Sequence, residues 1–138
     1  LLAQDQIPLN GHAIEARIYA ENAAKGFLPS PGPINALHLP AGPGVRWDGG
    51  YEEGDEISQY YDNLIGKLVV WASDRDAAIA RMLRALSELE VVGVHTTAPA
   101  HAALLQTEAF AALVRRSRWQ EISGWRTARA DWPTDGLR

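Results

Sequence analysis

The segment from Gly11 to Glu21 alternates apolar and polar side chains, and this alternation constrains the fold more than any other feature of the chain. Side chains of a β-strand point alternately to its two faces. We therefore predict a strand whose apolar face carries Ile14, Ala16 and Ile18. Its polar face carries Glu15, Arg17 and Tyr19. One face belongs to a core, and the other is available for chemistry.

An arginine and a carboxylate stand two residues apart on the polar face, at Arg17 and Glu15. A guanidinium is always charged and presents a rigid fork of donors, so an arginine on a strand suits an oxyanion or a planar carbonyl. The alternative is an ordinary surface salt bridge between the two side chains, which stabilises a protein little. The spacing alone does not decide between a binding site and a salt bridge.

Apolar patterns downstream predict further strands at 34–39, 45–47, 64–71 and 91–94. The segment 64–71 is the most apolar of these. Apolar side chains fall on both of its faces, with Leu64, Leu68 and Val70 on one and Ile65, Val69 and Trp71 on the other. We therefore predict a central strand that is covered on both faces. The acidic segment 52–56 is predicted to be a solvated loop.

Three helices are predicted after these strands. Ser73 or Asp74 can cap a helix that runs through Glu90, with Arg75 on its wet side. Its apolar stripe consists of Ile79, Met82, Leu83, Leu86 and Leu89. A second helix has Pro99 in its first turn and ends near Gln106, and a third runs from a Thr107 cap through Leu113. Strands that precede helices and join through tight turns predict an α+β fold, with a mostly antiparallel sheet and about three helices packed on it.

Composition excludes several classes of function. A formal net charge of −4 gives no basic footprint for nucleic acid. The absence of cysteine excludes disulfides and thiolate sites and is compatible with a reducing cytoplasm, where we expect the protein to work. The four histidines show no metal-ligand spacing, and no apolar run approaches membrane-spanning length. We therefore expect no metal site, no nucleic acid and no membrane as partner.

Five short motifs resemble the carboxyl-terminal domain of biotin carboxylase, and they occur in the same order. They are GHAIEARIYAE at 11–21, GFLPSPG at 26–32, GVRWD at 44–48, YYDNLIGKL at 60–68 and DRDAAI at 74–79. An ordered set of motifs is far more specific than a single one. The resemblance covers approximately residues 1–114 and implies the rudiment hybrid motif type of fold.

The resemblance implies a part in the ATP-dependent carboxylation of biotin on a carrier protein. The intact enzyme uses biotin, ATP, Mg²⁺ and bicarbonate, and we expect none of them bound to this fragment, which alone should be inactive. The expected partners are the upstream ATP-grasp portion of the same enzyme, a biotin carboxyl carrier domain, a carboxyltransferase and a second copy of the chain in a possible homodimer. The final acceptor of the carboxyl group is chosen by a domain not present here.

The resemblance also divides the chain. The first residue is not methionine, and we expect a domain cut from a longer protein. Residues 1–10 are then a linker from a missing ATP-grasp region. Residues 11–114 form the biotin carboxylase carboxyl-terminal domain, and residues 115–138 are a carboxyl-terminal extension or linker.

Candidate site residues follow from the same resemblance. Arg17 matches the family's catalytic arginine at the biotin and bicarbonate site, where it stabilises the ureido oxygen of biotin as that atom gains negative charge. Asp62 either orients Arg17 or contacts biotin, and its alternative role is a turn aspartate that caps local amides. Glu15 holds the arginine rather than transferring a proton, because an ion-paired carboxylate is a poor base. Arg46 is a candidate dimer contact, although Pro43 stands where an aromatic residue often precedes the glycine.

Lys67, His12 and the chain as a whole each have further predicted roles. Lys67 is a surface lysine whose stem packs on apolar neighbours, or else a charge behind the site. His12, on the apolar side of the first strand, is a hydrogen-bonded core histidine. The chain as a whole has two alternative functions: the closing domain of another ATP-grasp ligase or carboxylase of nucleotide biosynthesis, or a non-catalytic packing and dimerisation module.

Overall fold

The structure, a computed structural model, describes residue 3 and residues 6–112. Its elements in chain order are β1 (His12–Tyr19), β2 (Glu21–Asn22), a 3-10 turn (Ala23–Lys25), β3 (Leu28–Pro29), β4 (Gly32–Pro33), β5 (Ala36–His38), β6 (Val45–Gly49), β7 (Glu56–Ile57), β8 (Leu64–Ala72), α1 (Arg75–Glu88), β9 (Glu90–Val92), α2 (Ala98–Leu105) and α3 (Glu108–Ala112). The predicted extension 115–138 and the predicted helix end at Leu113 lie outside the described residues.

A three-stranded antiparallel sheet in the order β1-β8-β6 forms the centre of the fold. Three two-stranded pairings surround it, β2 with β3, β4 with β7 and β5 with β9, and all three are antiparallel. Helices α1 and α2 pack on this sheet, α1 against β1 and β8 and α2 against β1. The predicted α+β class, with a mostly antiparallel sheet and three helices, is confirmed.

The predicted alternation of β1 is confirmed by its burial. Ala16 and Ile18 are buried and Ile14 is half-buried, whereas Glu15 and Arg17 are exposed. The buried side chains join a core formed with β8, α1 and α2, whose largest fully buried members are Ile18, Ile34, Ile57, Ile65, Leu68, Met82 and Val70. The same strand therefore contributes to the core and to an open surface.

Strand β8 is central, as predicted, but the prediction that both of its faces are covered is wrong. Leu68 and Val70 are buried, while Val69 is half-buried and Trp71 remains 50% exposed. The helices cover one face of the sheet, so the side chains of Val69 and Trp71 reach the other face beside Arg46 and Glu15. Their apolar character therefore does not mark a second core.

A β-bulge interrupts the pairing of β1 with β8. Ile18 pairs with Gly66, but the next residue, Tyr19, pairs with Leu64, so Ile65 is an extra residue on β8. A bulge bends its strand and changes where nearby side chains point. Here it leaves both Ile65 and Gly66 buried despite their being neighbours in sequence.

Helix α1 begins at the predicted cap and ends two residues before the predicted end. Asp74 is the N-cap, and its Oδ1 accepts the Ala77 backbone N–H at 2.9 Å. Two hydrogen bonds to the carboxylate, from the Ala77 N–H and then from the Ser73 hydroxyl, lower the pKa of Asp74. The predicted stripe is confirmed at its centre, where Met82 and Leu86 are buried.

Arg75 is not on the wet side of α1, contrary to prediction. Its Nη2 donates to the Phe110 carbonyl at 2.5 Å, and its Nη1 lies 3.1 Å from Nε2 of His12. The Phe110 ring also stacks on the guanidinium, with 4.7 Å from the guanidinium carbon to the ring centroid. Helix α3 therefore covers Arg75, and His12 is the hydrogen-bonded histidine that was predicted, although only half-buried.

Candidate functional site

The open face of the central sheet carries its charged side chains in rows that follow the strand register. Arg17 on β1 pairs with Lys67 on β8, which pairs with Asp48 on β6. Glu15 occupies the same strand in the next row, opposite Val69, with Arg46 on β6 completing the row. Directly opposed residues of an antiparallel pair project to the same face. The two rows therefore bring five charged groups to one surface: Glu15, Arg17, Lys67, Arg46 and Asp48.

The guanidinium of Arg17 is held by Tyr19. Its Nε donates to the Tyr19 hydroxyl at 2.9 Å, and its central carbon lies 5.4 Å from the centroid of the tyrosine ring. Among the described residues no carboxylate lies within 4.0 Å of this guanidinium, so Glu15 does not pair with it and the predicted ion pair is wrong. Tyr19 lies on the same strand face, two residues from Arg17 on the side opposite Glu15. Its hydroxyl binds the guanidinium in place of the carboxylate.

The backbone of Arg17 is held by helix α2. Its carbonyl accepts one hydrogen bond from Thr97 Oγ1 at 3.1 Å and lies 2.8 Å from Nε2 of His101. The Tyr19 N–H donates to Thr97 Oγ1 at 3.0 Å, and the Thr97 N–H donates to the Tyr19 carbonyl at 3.1 Å. The start of α2 is thus bonded to β1 at the residues that carry the candidate site.

Sequence reasoning missed both Thr97 and His101. Thr97 is buried and precedes Pro99, and this pattern marks a helix start but not a strand partner. His101 is half-buried, and burial lowers its pKa while the hydrogen bond to the Arg17 carbonyl opposes that shift. Because the folded pKa is below the ordinary 6.5, the folded state gains fewer protons than the unfolded state as pH falls below 6.5, so His101 destabilises the fold progressively there.

Arg46 and Asp48 form a two-bonded ion pair on β6. Arg46 Nε donates to one carboxylate oxygen of Asp48 at 2.8 Å, and Nη2 donates to the other at 2.6 Å. This hydrogen bonding raises the pKa of Arg46 and lowers the pKa of Asp48, and Glu15 adds a smaller electrostatic contribution that raises the pKa of Arg46. The negative charge of Glu15 therefore acts on Arg46.

Asp62 lies in the turn that leads into β8. Its Oδ1 accepts the Leu64 N–H at 3.1 Å, as expected of the turn aspartate that was the alternative interpretation. Leu64 pairs with Tyr19, so the register places Asp62 at the same end of the sheet as Arg17. Tyr60 and Tyr61, just before it, are 80% and 82% exposed.

Three cations and two carboxylates share this face, and an arginine among them can bind a small oxyanion or a carbonyl oxygen. Lys67 is half-buried between Arg17 and Asp48, and it lowers the pKa of Asp48 after the larger effect of Arg46. Asp48 is already bound to Arg46, which leaves Arg17 as the strand-held guanidinium without a carboxylate partner among residues 6–112. No group of three or more His, Asp or Glu residues in the described part of the chain can hold a metal ion. The described helices also include none that is long and apolar enough to cross a bilayer.

Comparisons with known proteins identify the family. The family model described as the biotin carboxylase C-terminal domain matches residues 15–121. The α subunit of the mitochondrial methylcrotonoyl-CoA carboxylase of Glycine max is 50% identical over 95 residues, which are 69% of this chain and 13% of that protein.

Solved structures agree with the sequence match. The biotin carboxylase–β-γ-ATP complex of Campylobacter jejuni superposes on this chain with a TM-score of 0.76 and 47% sequence identity. The match covers 80% of this chain and 25% of that one. The biotin carboxylase domain dimer of the Hydrogenobacter thermophilus 2-oxoglutarate carboxylase, with MgADP, ADP and bicarbonate, gives a TM-score of 0.76 at 42% identity over 79% of this chain and 24% of its own.

The chain spans between 13% and 25% of the length of these three relatives. The matched family model covers most of the chain and every element of the central sheet except the first residues of β1. The resemblance inferred from the five motifs is therefore confirmed: this chain belongs to the family of biotin carboxylase C-terminal domains.

Proposed function

We propose that this chain contributes the biotin and bicarbonate side of the active site to a biotin carboxylase, which carboxylates biotin on a carrier protein at the expense of ATP. The observation that supports the proposal is the exposure and fixed position of the Arg17 side chain. It is exposed on a rigid strand, its backbone and its Nε are held, and no carboxylate of the described residues neutralises it. A fixed and unpaired cation of this kind suits a substrate that develops negative charge.

The proposed chemistry follows from the charge of the guanidinium. For the ureido nitrogen of biotin to attack an activated carboxyl group it must lose a proton, and negative charge then grows on the ureido oxygen. A donor that is already in place stabilises this charge without reorganising at the moment of reaction. A lysine offers a mobile point charge rather than two parallel donors, so it does not substitute for arginine at such a site.

Asp62 and Glu15 are proposed to bind substrate beside Arg17. Asp62 accepts one local N–H through Oδ1, and its second carboxylate oxygen is available to a ureido N–H. Glu15 lies on the same face two residues from Arg17 and is exposed. Its charge makes a small contribution to the raised pKa of Arg46, and it forms no ion pair with Arg17.

The remaining substrates are assigned to other parts of the parent enzyme. ATP and Mg²⁺ are proposed to bind mainly in an ATP-grasp portion of the parent enzyme, as the family resemblance implies, and no step involving the metal is assigned to this chain. The carrier domain that bears biotin and a carboxyltransferase are the other proposed partners. The protein is proposed to work in the cytoplasm, and the division at residues 1–10, 11–114 and 115–138 also remains a proposal.

Arg46 is proposed to contact a second copy of the chain. The domain of the 2-oxoglutarate carboxylase is described as a dimer, and Arg46 projects from β6 with 72% of its side chain exposed. Its pair with Asp48 uses Nε and Nη2, and the guanidinium remains on the open face.

The substitution Arg17→Lys in the full-length parent enzyme tests the proposed function. We expect the kcat of biotin carboxylation to fall by about 100-fold, as when one donor to a developing oxyanion is removed. The KM for ATP should change by less than about 2-fold, because Arg17 is proposed to act on biotin and not on the nucleotide. Biotin-dependent ATP turnover measures both quantities.

Arg84→Lys is the matched control. Arg84 lies on α1, away from the sheet face, and pairs with Glu88 in the next turn. The same chemical change at that position should leave kcat and KM at their wild-type values. An Arg17→Lys enzyme that turns over like wild type, or one whose ATP binding weakens as much as its turnover, would show that Arg17 has a different role.

A further inference from the structure

We propose that Tyr19 is a positioning residue for Arg17, and that its hydroxyl makes the arginine face its substrate with its two terminal nitrogens. The inference rests on the role of Arg17 proposed above. Tyr19 was predicted only to share a strand face with Arg17, but its hydroxyl accepts the hydrogen bond from Arg17 Nε.

Two contacts fix the guanidinium relative to the tyrosine. Arg17 Nε donates to the hydroxyl oxygen at 2.9 Å, and the central guanidinium carbon lies 5.4 Å from the ring centroid. A cation within about 6 Å of an aromatic ring is attracted to its π electrons. The hydrogen bond and the ring contact come from the same residue, so together they limit the rotation of the arginine.

Occupation of Nε decides which edge of the guanidinium remains free. An arginine has five N–H donors, one on Nε and four on the terminal nitrogens. Tyr19 takes the first, and within the described part of the chain the terminal nitrogens have no partner. The group therefore meets a ligand end-on, with two parallel donors for two oxygen atoms.

Tyr19 can act in this way because its own backbone is fixed. Its N–H donates to Thr97 Oγ1 at 3.0 Å, and its carbonyl accepts the Thr97 N–H at 3.1 Å. A bulge lies beside it, where Tyr19 pairs with Leu64 after Ile18 pairs with Gly66, and a bulge changes where nearby side chains point. Side chains that are locked by their surroundings hold a catalytic group more precisely than mobile ones.

The substitution Tyr19→Phe in the full-length parent enzyme removes the acceptor and keeps the ring. Free biotin and bicarbonate are the probes, and biotin-dependent ATP turnover is the measurement. We expect kcat to fall by about 10-fold, because a misplaced reacting group costs one to two orders of magnitude. The KM for ATP should stay within about 2-fold of wild type, which a general loss of structure would not allow.

Tyr51→Phe is the matched control. Tyr51 is half-buried against the core, and its hydroxyl makes no hydrogen bond to the described residues. The same loss of a hydroxyl should leave kcat unchanged. Thermal unfolding of both variants shows whether the effect on kcat occurs without a difference in stability between them.

A double-mutant cycle with Arg17→Lys separates the two proposals. Lysine has no Nε–H to donate in this geometry, so Tyr19→Phe should change the residual kcat of the Arg17→Lys enzyme by less than about 2-fold. A slow Arg17→Lys enzyme with a fully active Tyr19→Phe enzyme overturns the positioning role and leaves the proposed function intact. An equal loss in both backgrounds also overturns it, because Tyr19 then acts independently of Arg17. A fully active Arg17→Lys enzyme overturns the proposed function, and the inference falls with it.

Discussion

The two faces of the central sheet are built from alternate residues of the same strands, yet different physical forces shape them. On the helix-covered face, the fit of apolar side chains decides which residues are allowed, and Leu68 and Val70 are almost fully buried there. On the open face, charge and hydrogen bonding decide, and Arg17 and Arg46 remain accessible. One strand pattern therefore supplies both a packed core and a charged surface, and each can be altered separately.

The largest expected effect comes from a cavity on the covered face. Leu68→Ala removes a fully buried side chain from the core and should lower the free energy of unfolding by about 3 kcal/mol. Val69→Ala, one residue along the same strand, projects to the open face and should lower it by less than about 1 kcal/mol. Urea unfolding of the two variants measures the contrast, and equal losses would contradict the division of the strand into two faces.

A smaller effect is expected from overpacking the same face. Gly66 and Gly49 lie under the indole of Trp47, and a Cβ on Gly66 would lie 2.8 Å from Trp47 Cε2, which is closer than real carbon atoms approach. Gly66→Ala should therefore lower the free energy of unfolding by about 2 kcal/mol. Gly50→Ala is the control, because a Cβ there meets nothing within 4 Å. A Gly66→Ala protein as stable as the control would mean that the indole moves aside freely.

The smallest effect is expected from breaking the Arg46–Asp48 pair on the open face. Arg46→Gln should barely change stability at neutral pH, because solvent screens an exposed ion pair. It should nevertheless raise the pKa of Asp48 toward its ordinary 3.8, since hydrogen bonding to Arg46 is the main cause of the lowered value. The carboxyl carbon resonance of Asp48 followed by NMR reports this pKa.

The pH dependence of the stability difference between wild type and Arg46→Gln can also be tested. A carboxyl group whose folded pKa is lowered stabilises the fold above 3.8, and this contribution disappears as the pH falls through the folded pKa. The small difference in stability between wild type and Arg46→Gln should therefore vanish in acid. A difference that persists below the folded pKa would assign it to lost packing of the arginine stem instead.

Local sequence patterns were sufficient to predict the strand that carries the candidate site. The alternation around Ala16 and Ile18 is strong because one face is buried, and the position of Arg17 on the opposite face follows from it. Strands β2, β3, β4 and β7 were missed because two residues each carry too little pattern to detect. The cap at Asp74 was predicted because its chemistry is local.

Contacts between distant segments could not be predicted in the same way. The bond from Thr97 to the Arg17 carbonyl joins residues that are 80 positions apart, and nothing in either segment indicates the other. Arg75 was assigned to solvent from its place on α1, but α3 folds Phe110 over it. The contact between Arg17 and Tyr19 involves neighbours on one face, yet choosing Tyr19 over Glu15 as the partner requires side-chain geometry.

The bonds from Thr97 and His101 to the carbonyl of Arg17 also bear on how such a domain behaves at high concentration. Because β1 is the outermost strand of its sheet, its outward amide and carbonyl groups would otherwise offer a template for an extended segment of another molecule. Helix α2 occupies that edge at Arg17 and Tyr19. The segment that holds the arginine therefore also blocks strand addition at the carboxyl-terminal end of β1.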